Sequence, residues 1–449
     1  MDRTKKFFLL LLDWIVLSAC ICSVAYLRDA VPPERVLFSA GYLFISTTVM
    51  ALTYIFGGYD LTPTVTVRRV FARGVLALTF SLGVVVLINY FGAKDRSGVF
   101  GRGVLVGSFV AFGFFASLIR VSWVAVLRKA SRKARWLFVC TRNVYANIRM
   151  DLEKNSFQGQ TFFLLDNTDQ ADDRDVLGRW SDFPEVLKKS WTSITVALDE
   201  TAPKSLIEQL MLARFEAIKV RDLVQFYEEQ WKKVPLYYLG ANWFLLTEGF
   251  DLFGNPVRKR LKRLLDVAFS LVMLLLSVPV MILAWIAIRL ESSGGAIYKQ
   301  VRTGKDGRDF TIYKFRSMRS DAEKDGVQWA ATNDDRITKV GRFIRKTRID
   351  ELPQLVNILQ GRMSLVGPRP ERPEFNQMLH EKIPFYYLRH MIHPGLTGWA
   401  QVLYPYGASV EDAQEKLQYE LFYIKNYSLW LDLSIVLKTV QVVLFGKGR

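Results

Sequence analysis

The sequence predicts a membrane protein in three parts. Residues 1–127 would form four transmembrane helices, residues 128–257 a cytoplasmic Rossmann-like α/β domain, and residues 258–449 an α+β domain with a re-entrant membrane helix at 264–290 and interfacial helices. Three observations lead there. Half of the 449 residues are hydrophobic, and they come in blocks rather than diluted through the chain. The formal charge is +17, which fits an anionic partner such as a membrane surface, phosphate groups or nucleic acid. Between the apolar blocks lies a soluble stretch where strand-like and helix-like segments alternate, the pattern of a parallel α/β unit. Intrinsic disorder is excluded by the apolar content, and a single small module by the length.

Four apolar runs, residues 7–27, 36–56, 74–91 and 103–127, approach the roughly 20 residues that a spanning helix needs. Lys and Arg number 11 in the N-terminus, second loop and post-run segment, against 5 in the two other loops. That asymmetry places the N-terminus and everything after Leu127 in the cytoplasm. Leu17-Ser18-Ala19-Cys20 after Lys5 and Lys6 resembles a lipoprotein cleavage box, but the run continues to Leu27 and Asp13 interrupts it. Asp13 reads either as a residue at the interface or inside the bundle, or as a proton carrier.

The fifth run, 264–290, is long enough to cross, yet Pro279 near its middle removes a helix hydrogen bond. Arg258, Lys259, Arg260, Lys262 and Arg263 precede it; Arg289, Lys299 and Arg302 follow it. A crossing helix would place one basic cluster on the wrong side, so the pattern favours a bent helix that enters and returns over an ordinary kinked span. In the soluble stretch, residues 136–140, 162–165 and 193–198 read as strands and 204–215 as a helix. After the first strand stands Thr141-Arg142-Asn143-Val144, with no glycine loop for a dinucleotide, which points to a structural or assembly role. Cys20, Cys22 and Cys140, like His380, His390 and His393, have no spacing that suggests a disulfide framework or a metal site.

The last third carries candidate chemistry. Residues 297–302 and 310–315 read as a hairpin around Gly304-Lys305-Asp306-Gly307. Alternation along the second strand puts Lys314 and Arg316 on one side, as a cation pair for phosphate or simply as solubilising charge. Arg342, Arg345, Lys346 and Arg348 precede Asp350-Glu351-Leu352-Pro353-Gln354, with a helix expected to start near Asp350. The carboxylates would be either an ionised pair at an anion site or a cap with a solvated neighbour; residues alone leave both open. In Gly367-Pro368-Arg369-Pro370 two prolines fix Arg369, as an anion contact or as a plain loop. Residues 428–445, with Trp430, Leu433, Val436 and Leu437 at helical spacing, suit interfacial docking and core packing equally.

Four segments occur in order: Ile312-Tyr313-Lys314-Phe315-Arg316-Ser317-Met318, Asp350-Glu351-Leu352-Pro353-Gln354-Leu355, Ser364-Leu365-Val366-Gly367-Pro368-Arg369-Pro370 and Pro394-Gly395-Leu396-Thr397-Gly398-Trp399-Ala400-Gln401. Together they resemble the bacterial sugar transferase family, the monotopic polyprenyl-phosphate phosphoglycosyl transferases, from about Lys259 onward. The upstream parts resemble the large members of that family, and Val402-Leu403-Tyr404-Pro405-Tyr406-Gly407 resembles an exopolysaccharide-associated branch. The resemblance implies a re-entrant helix broken at a Ser-Pro step, here Ser277-Val278-Pro279 with an extra Val278. It further implies transfer of a sugar 1-phosphate from a UDP-sugar to undecaprenyl phosphate, releasing UMP, with Asp350 as nucleophile. Mg2+ near Asp350 and Glu351, together with Lys314, Arg316, Arg345 and Arg369, would offset the anionic donor. The setting expected is the bacterial inner membrane, among its lipids, with the catalytic domain on the cytoplasmic face and, by analogy, a homodimer. Exopolysaccharide or O-antigen synthesis would be the process begun. A non-catalytic scaffold is the rival and has no use for the Asp350-Glu351 pair; nucleic-acid binding is disfavoured because no familiar motif appears.

Overall fold

A computed structural model of the chain describes residues 3–91, 100–167, 174–250, 254–319, 322, 335–404, 407 and 409–445. Two compact units form, Met1–Arg221 and Asp222–Arg449. Of the segment expected to mark the exopolysaccharide branch, Pro405 and Tyr406 lie outside the described residues.

In the first unit each early apolar run is helical: Arg3–Asp29, Ala40–Ile55, Val67–Phe91 and Arg102–Lys133. Three of these are long and apolar enough to cross a membrane, but Ala40–Ile55 has only 16 residues. The second of the four expected spans is this shorter apolar helix, roughly 24 Å long at 1.5 Å per residue. The reason is local. Pro33 opens a separate turn, Pro33–Leu37, and Ser39 then caps the next helix by accepting from the Tyr42 amide, so the apolar run cannot be one helix. Asp13 lies inside the bundle, ion-paired with Arg120, whose Nε also donates to the Gly58 carbonyl at 3.2 Å. A buried charge in an apolar bundle is tolerated when paired, which is the arrangement found.

The same unit carries a five-stranded sheet in the order β3-β2-β1-β4-β5: β1 Arg135–Cys140, β2 Gln160–Leu165, β3 Val176–Arg179, β4 Ser193–Ala197 and β5 Val220–Asp222. The β1 strand pairs in parallel with both β2 and β4, and β2 with β3. Leu137, Val139, Leu164 and Ile194 pack with Leu206 and Leu210 of the helix Lys204–Phe215. At four and three residues, β3 and β5 are too short for a periodicity to announce them. The helix after β1, Arg142–Lys154, has the Asp166 carboxylate at its start, 2.7 Å from the Arg142 amide.

The second unit begins at Asp222, and Val224, Val234 and Leu236 share a core with Leu355, Leu365, Leu417 and Tyr423. Residues after 222, assigned by sequence to the middle domain, thus pack within the C-terminal unit. Its membrane-length helix, Pro256–Glu291, is 36 residues long and continues through Pro279. Ser277 Oγ turns back to the Leu274 carbonyl at 3.1 Å, a local bond within this helix. An antiparallel hairpin follows, β6 Ile297–Thr303 with β7 Asp309–Phe315. A parallel pair, β8 Ser364–Val366 and β9 Gly395–Thr397, packs against the last helix, Leu429–Phe445, and Tyr423 on the helix Val410–Lys425 donates its hydroxyl to the Val366 carbonyl at 3.2 Å. The last helix buries Leu431 and Ile435 while Trp430 is 63% exposed, so one apolar face packs and another stays open.

Two of the basic residues read as membrane flank face inward. Lys262 Nζ pairs with Asp432 at 2.8 Å and donates to the Val366 carbonyl at 3.2 Å; Arg263 donates to the carbonyls of Ile358 and Leu359. One turn on, Asp266 accepts from Ser364 Oγ at 2.7 Å and from the Leu365 amide at 3.1 Å. The start of the long helix is thereby fastened to β8, the strand that leads into Gly367-Pro368-Arg369-Pro370.

Candidate active site

Three segments converge on one carboxylate pair. The strand β7 brings Lys314. The helix Lys339–Lys346 brings Arg345 and ends four residues before Asp350, and the β8 exit brings Arg369. Each is fixed by its own polar contacts. Thr338 caps the helix Lys339–Lys346 by accepting from the Gly341 amide, and the Glu291 carboxylate accepts from the Lys339 and Val340 amides at 2.8 and 3.1 Å. The last residue of the long helix therefore holds the start of the helix that leads to Asp350. Asn357 does the same for β7. Its side-chain nitrogen donates to the Thr311 carbonyl at 2.8 Å and its oxygen accepts from the Tyr313 amide at 3.1 Å, so the helix Gln354–Leu359 completes the bonding of the β7 edge.

Gly367 and Gly395 let β8 and β9 meet closely. The Gly367 amide donates to Thr397 O at 2.9 Å and the Gly395 amide to Pro368 O at 2.8 Å. A Cβ at Gly367 would lie 2.4 Å from the His393 carbonyl, and one at Gly395 2.1 Å from the Gly367 nitrogen, so only glycine fits either position. Two of the sequence motifs are in this way one backbone joint, and its product is the placement of Arg369.

The helix expected near Asp350 begins later, at Gln354; Asp350 and Glu351 lie in a 3-10 turn, Ile349–Glu351, entered through Arg348 at φ 60°. Both carboxylates are 8% exposed, so Glu351 is no solvated neighbour. Its Oε1 meets Arg369 Nη2 at 2.7 Å, Arg348 Nη1 at 3.5 Å and Lys314 Nζ at 3.8 Å. Although burial opposes ionisation, these three cations hold Glu351 well below the usual carboxylate range. Asp350 is the reverse case. Burial and the neighbouring Glu351 charge push it up to about 6, against the pull of Lys314, Arg345 and Arg348. Burial, aided by Arg369, lowers Lys314 to about 8. Asp350 Oδ1 is buried and has no hydrogen-bond partner among the described residues, an open acceptor in a cation-rich wall.

Of the residues singled out from sequence, the structure brings together Asp350, Glu351, Lys314 and Arg369, with Arg345 acting on Asp350 through its charge. Arg316 does not join Lys314 as a cation pair. Its guanidinium donates to Ser293 O at 2.7 Å and to Ser292 O and Oγ at 2.9 Å, closing the turn after the long helix. Ser277 and Pro279 lie in that helix, remote in sequence from the pair. Sequence reasoning missed Asn357 and Glu291, which carry no pattern of their own. Arg302, read from sequence only as part of the basic flank after the long helix, donates to the Pro370 carbonyl at 3.2 Å.

No group of three or more His, Cys, Asp or Glu suited to a metal occurs among the described residues. Two carboxylates with one orphaned oxygen do suit Mg2+, which commonly takes one or two protein carboxylates and completes its shell with water and phosphate oxygens.

A family model described as bacterial sugar transferase matches residues 257–446. The UDP-N-acetylgalactosamine-undecaprenyl-phosphate N-acetylgalactosaminephosphotransferase of Aeromonas hydrophila is 46% identical over 198 residues, 44% of this chain and 47% of that protein, so the chain spans about half the length of that relative. The UDP-glucose:undecaprenyl-phosphate glucose-1-phosphate transferase of Klebsiella pneumoniae is 32% identical over 394 residues, 81% of this chain and 79% of that protein. The exopolysaccharide production protein PSS of Rhizobium leguminosarum is 40% identical over 195 residues, 42% of this chain but 98% of that protein. The match to the family model covers the long helix and every segment that converges on Asp350, and the Klebsiella relative extends the likeness through most of the chain; the protein belongs to the bacterial sugar transferase family.

Proposed function

We propose that this protein is a membrane-bound enzyme that moves a sugar 1-phosphate from a UDP-sugar to undecaprenyl phosphate, releasing UMP, through a covalent intermediate on Asp350. Donor and acceptor classes follow the names of the relatives. One observation carries the assignment of the nucleophile: Asp350 keeps a buried carboxylate oxygen without a hydrogen-bond partner among the described residues, beside a Glu351 paired with Arg369. In the first half-reaction an Asp350 oxygen attacks the sugar-bearing β-phosphorus. The bond from that phosphorus to the bridging oxygen breaks, the electron pair leaves on UMP, and the phosphosugar stays on the carboxylate. In the second, an oxygen of undecaprenyl phosphate attacks the same phosphorus, the bond to Asp350 breaks and the carboxylate is restored.

Neither step needs a base for the nucleophile, because both attacking groups are already anions. What the site must overcome is repulsion between anions, and Lys314, Arg345, Arg348 and Arg369 are placed for that. An ionised carboxylate whose pKa is raised is also the more basic nucleophile, so the burial that lifts Asp350 serves the attack. Asp350 and Glu351 would hold Mg2+, which when bound neutralises developing charge on phosphate oxygens. Arg316 belongs to the support of the site, since its guanidinium is already taken by Ser292 and Ser293.

In the membrane, the helix Pro256–Glu291 is read as re-entrant in the bacterial inner membrane, with the unit that follows on the cytoplasmic face. Support comes from Pro279 in its interior and from basic residues at both ends, which favour the same anionic leaflet. That placement brings a water-soluble donor and a headgroup-level acceptor to one site. The Rhizobium relative's name favours exopolysaccharide assembly as the setting.

Purified protein given Mg2+, undecaprenyl phosphate and a panel of UDP-sugars is expected to release UMP with one of them, and Asp350→Asn is expected to abolish release. UMP formation that survives Asp350→Asn unchanged would remove Asp350 from the nucleophile's role.

A further inference from the structure

Arg369 touches Glu351 through its side chain, but what sets the direction of that side chain is its backbone. Pro368 and Pro370 restrict the torsions on either side, so the segment moves as a stiff piece whose remaining freedom is how it is seated. Its seat includes a buried ion pair well away from the carboxylates. Arg389, in the 3-10 stretch Tyr386–Met391, is 5% exposed, and Glu420, on the helix Val410–Lys425, is 4% exposed. They form a two-pronged pair: Arg389 Nε donates to Glu420 Oε2 and Nη2 to Oε1, both at 2.9 Å. Nη1 donates to the Tyr386 hydroxyl at 2.7 Å, and Nη2 gives a further bond to the Arg369 carbonyl at 2.8 Å.

A buried ion pair is a weak device for stability, because desolvation of both charges roughly cancels their attraction. It is a strong device for direction, because a planar guanidinium held by two carboxylate oxygens has no rotamer freedom left. Here the fixed fork is aimed at the main chain of the residue whose own guanidinium reaches Glu351. We propose that Arg389, locked by Glu420, is a positioning residue that sets Arg369 for phosphoryl transfer; this rests on the transferase reading above. Arg389 touches neither substrate nor Asp350. Its effect passes through Arg369, and a displacement of that contact by about 1 Å is enough to cost on the order of a hundredfold in rate.

Full-length protein in lipid nanodiscs, assayed for UMP release, tests this with a double-mutant cycle. Arg389→Lys keeps the charge but cannot hold Glu420, Tyr386 and the Arg369 carbonyl together. It is expected to lower kcat/KM at least about tenfold in the wild-type background and less than about twofold when Arg369 is already Ala, with folding followed by thermal melting. An equal loss in both backgrounds overturns the positioning role. Should Arg389→Lys fail to fold, Glu420→Gln, which keeps the shape of the carboxylate, takes its place in the cycle. Loss of folding in both variants assigns the pair to stability alone and also overturns the proposal. Failure of the transferase reading looks different: wild-type protein and the Arg369→Ala variant would release UMP equally, or not at all.

Discussion

Asp350 and Glu351 are neighbours in the chain with the same burial, yet their surroundings drive their acidities apart. Glu351 meets three cations and stays ionised, whereas Asp350 pays for its own burial and for the charge next door, which lifts it to about 6. Because a raised carboxyl is charged only above its pKa, the transfer is expected to fall as pH drops through about 6. Lys314 is charged only below its lowered value of about 8, so activity should also fall as pH rises through that point. A kcat/KM profile measured from pH 4 to 10 checks both limbs, and Glu351→Gln, by removing the neighbouring charge, should move the acid limb downward. An acid limb already at an ordinary carboxylate value in the unsubstituted protein would contradict this account of Asp350. At this scale the sequence disclosed the charged residues but not their roles. Lys314 and Arg316 look alike in Lys314-Phe315-Arg316, and only the fold sends one to Glu351 and the other to the carbonyls at 292 and 293.

Among the elements, the long helix was the most legible and its connections the least. Its apolar run, its basic flanks and Pro279 stand out in the sequence, and the helix Pro256–Glu291 is there. The re-entrant reading expects cysteines introduced at Lys259 and Lys299 to be labelled from the cytoplasmic side; labelling of Lys299→Cys from the opposite side alone would make the helix a span. Less visible was that Glu291, at the helix end, binds the first amides of Lys339–Lys346. Glu291→Ala is expected to destabilise that helix by roughly 0.5–2 kcal/mol, the usual worth of an N-terminal cap, and to slow UMP release by loosening the approach to Asp350. Thermal melting and turnover measured on the same preparation separate the two effects. In the first unit, the apolar run at 36–56 concealed a break that Pro33 and Ser39 explain once the helix ends are seen.

At the scale of the whole molecule, the second unit is built around a polar joint as well as an apolar core. Lys262 on the long helix pairs with Asp432 on the last helix, Tyr423 donates to Asp432 at 2.7 Å, and Asp266 receives β8. Lys262→Met would leave Asp432 and Asp266 buried without their cation, at an expected cost of about 3–5 kcal/mol to folding, which denaturant titration of the purified protein measures. By itself the sequence determined which segments are apolar enough for a membrane, which alternate as strands and helices, and which short motifs carry the charged chemistry, since periodicity and composition are properties of consecutive residues. The tertiary structure decided which charges meet: Asp13 with Arg120, Lys262 with Asp432, Arg369 with Glu351, and Arg389 with Glu420. Those partners lie from 18 to 170 residues apart, and no pattern along the chain encodes them. They are set by which faces the apolar core turns toward one another, because burying a charge is tolerable only where packing has placed its counterpart.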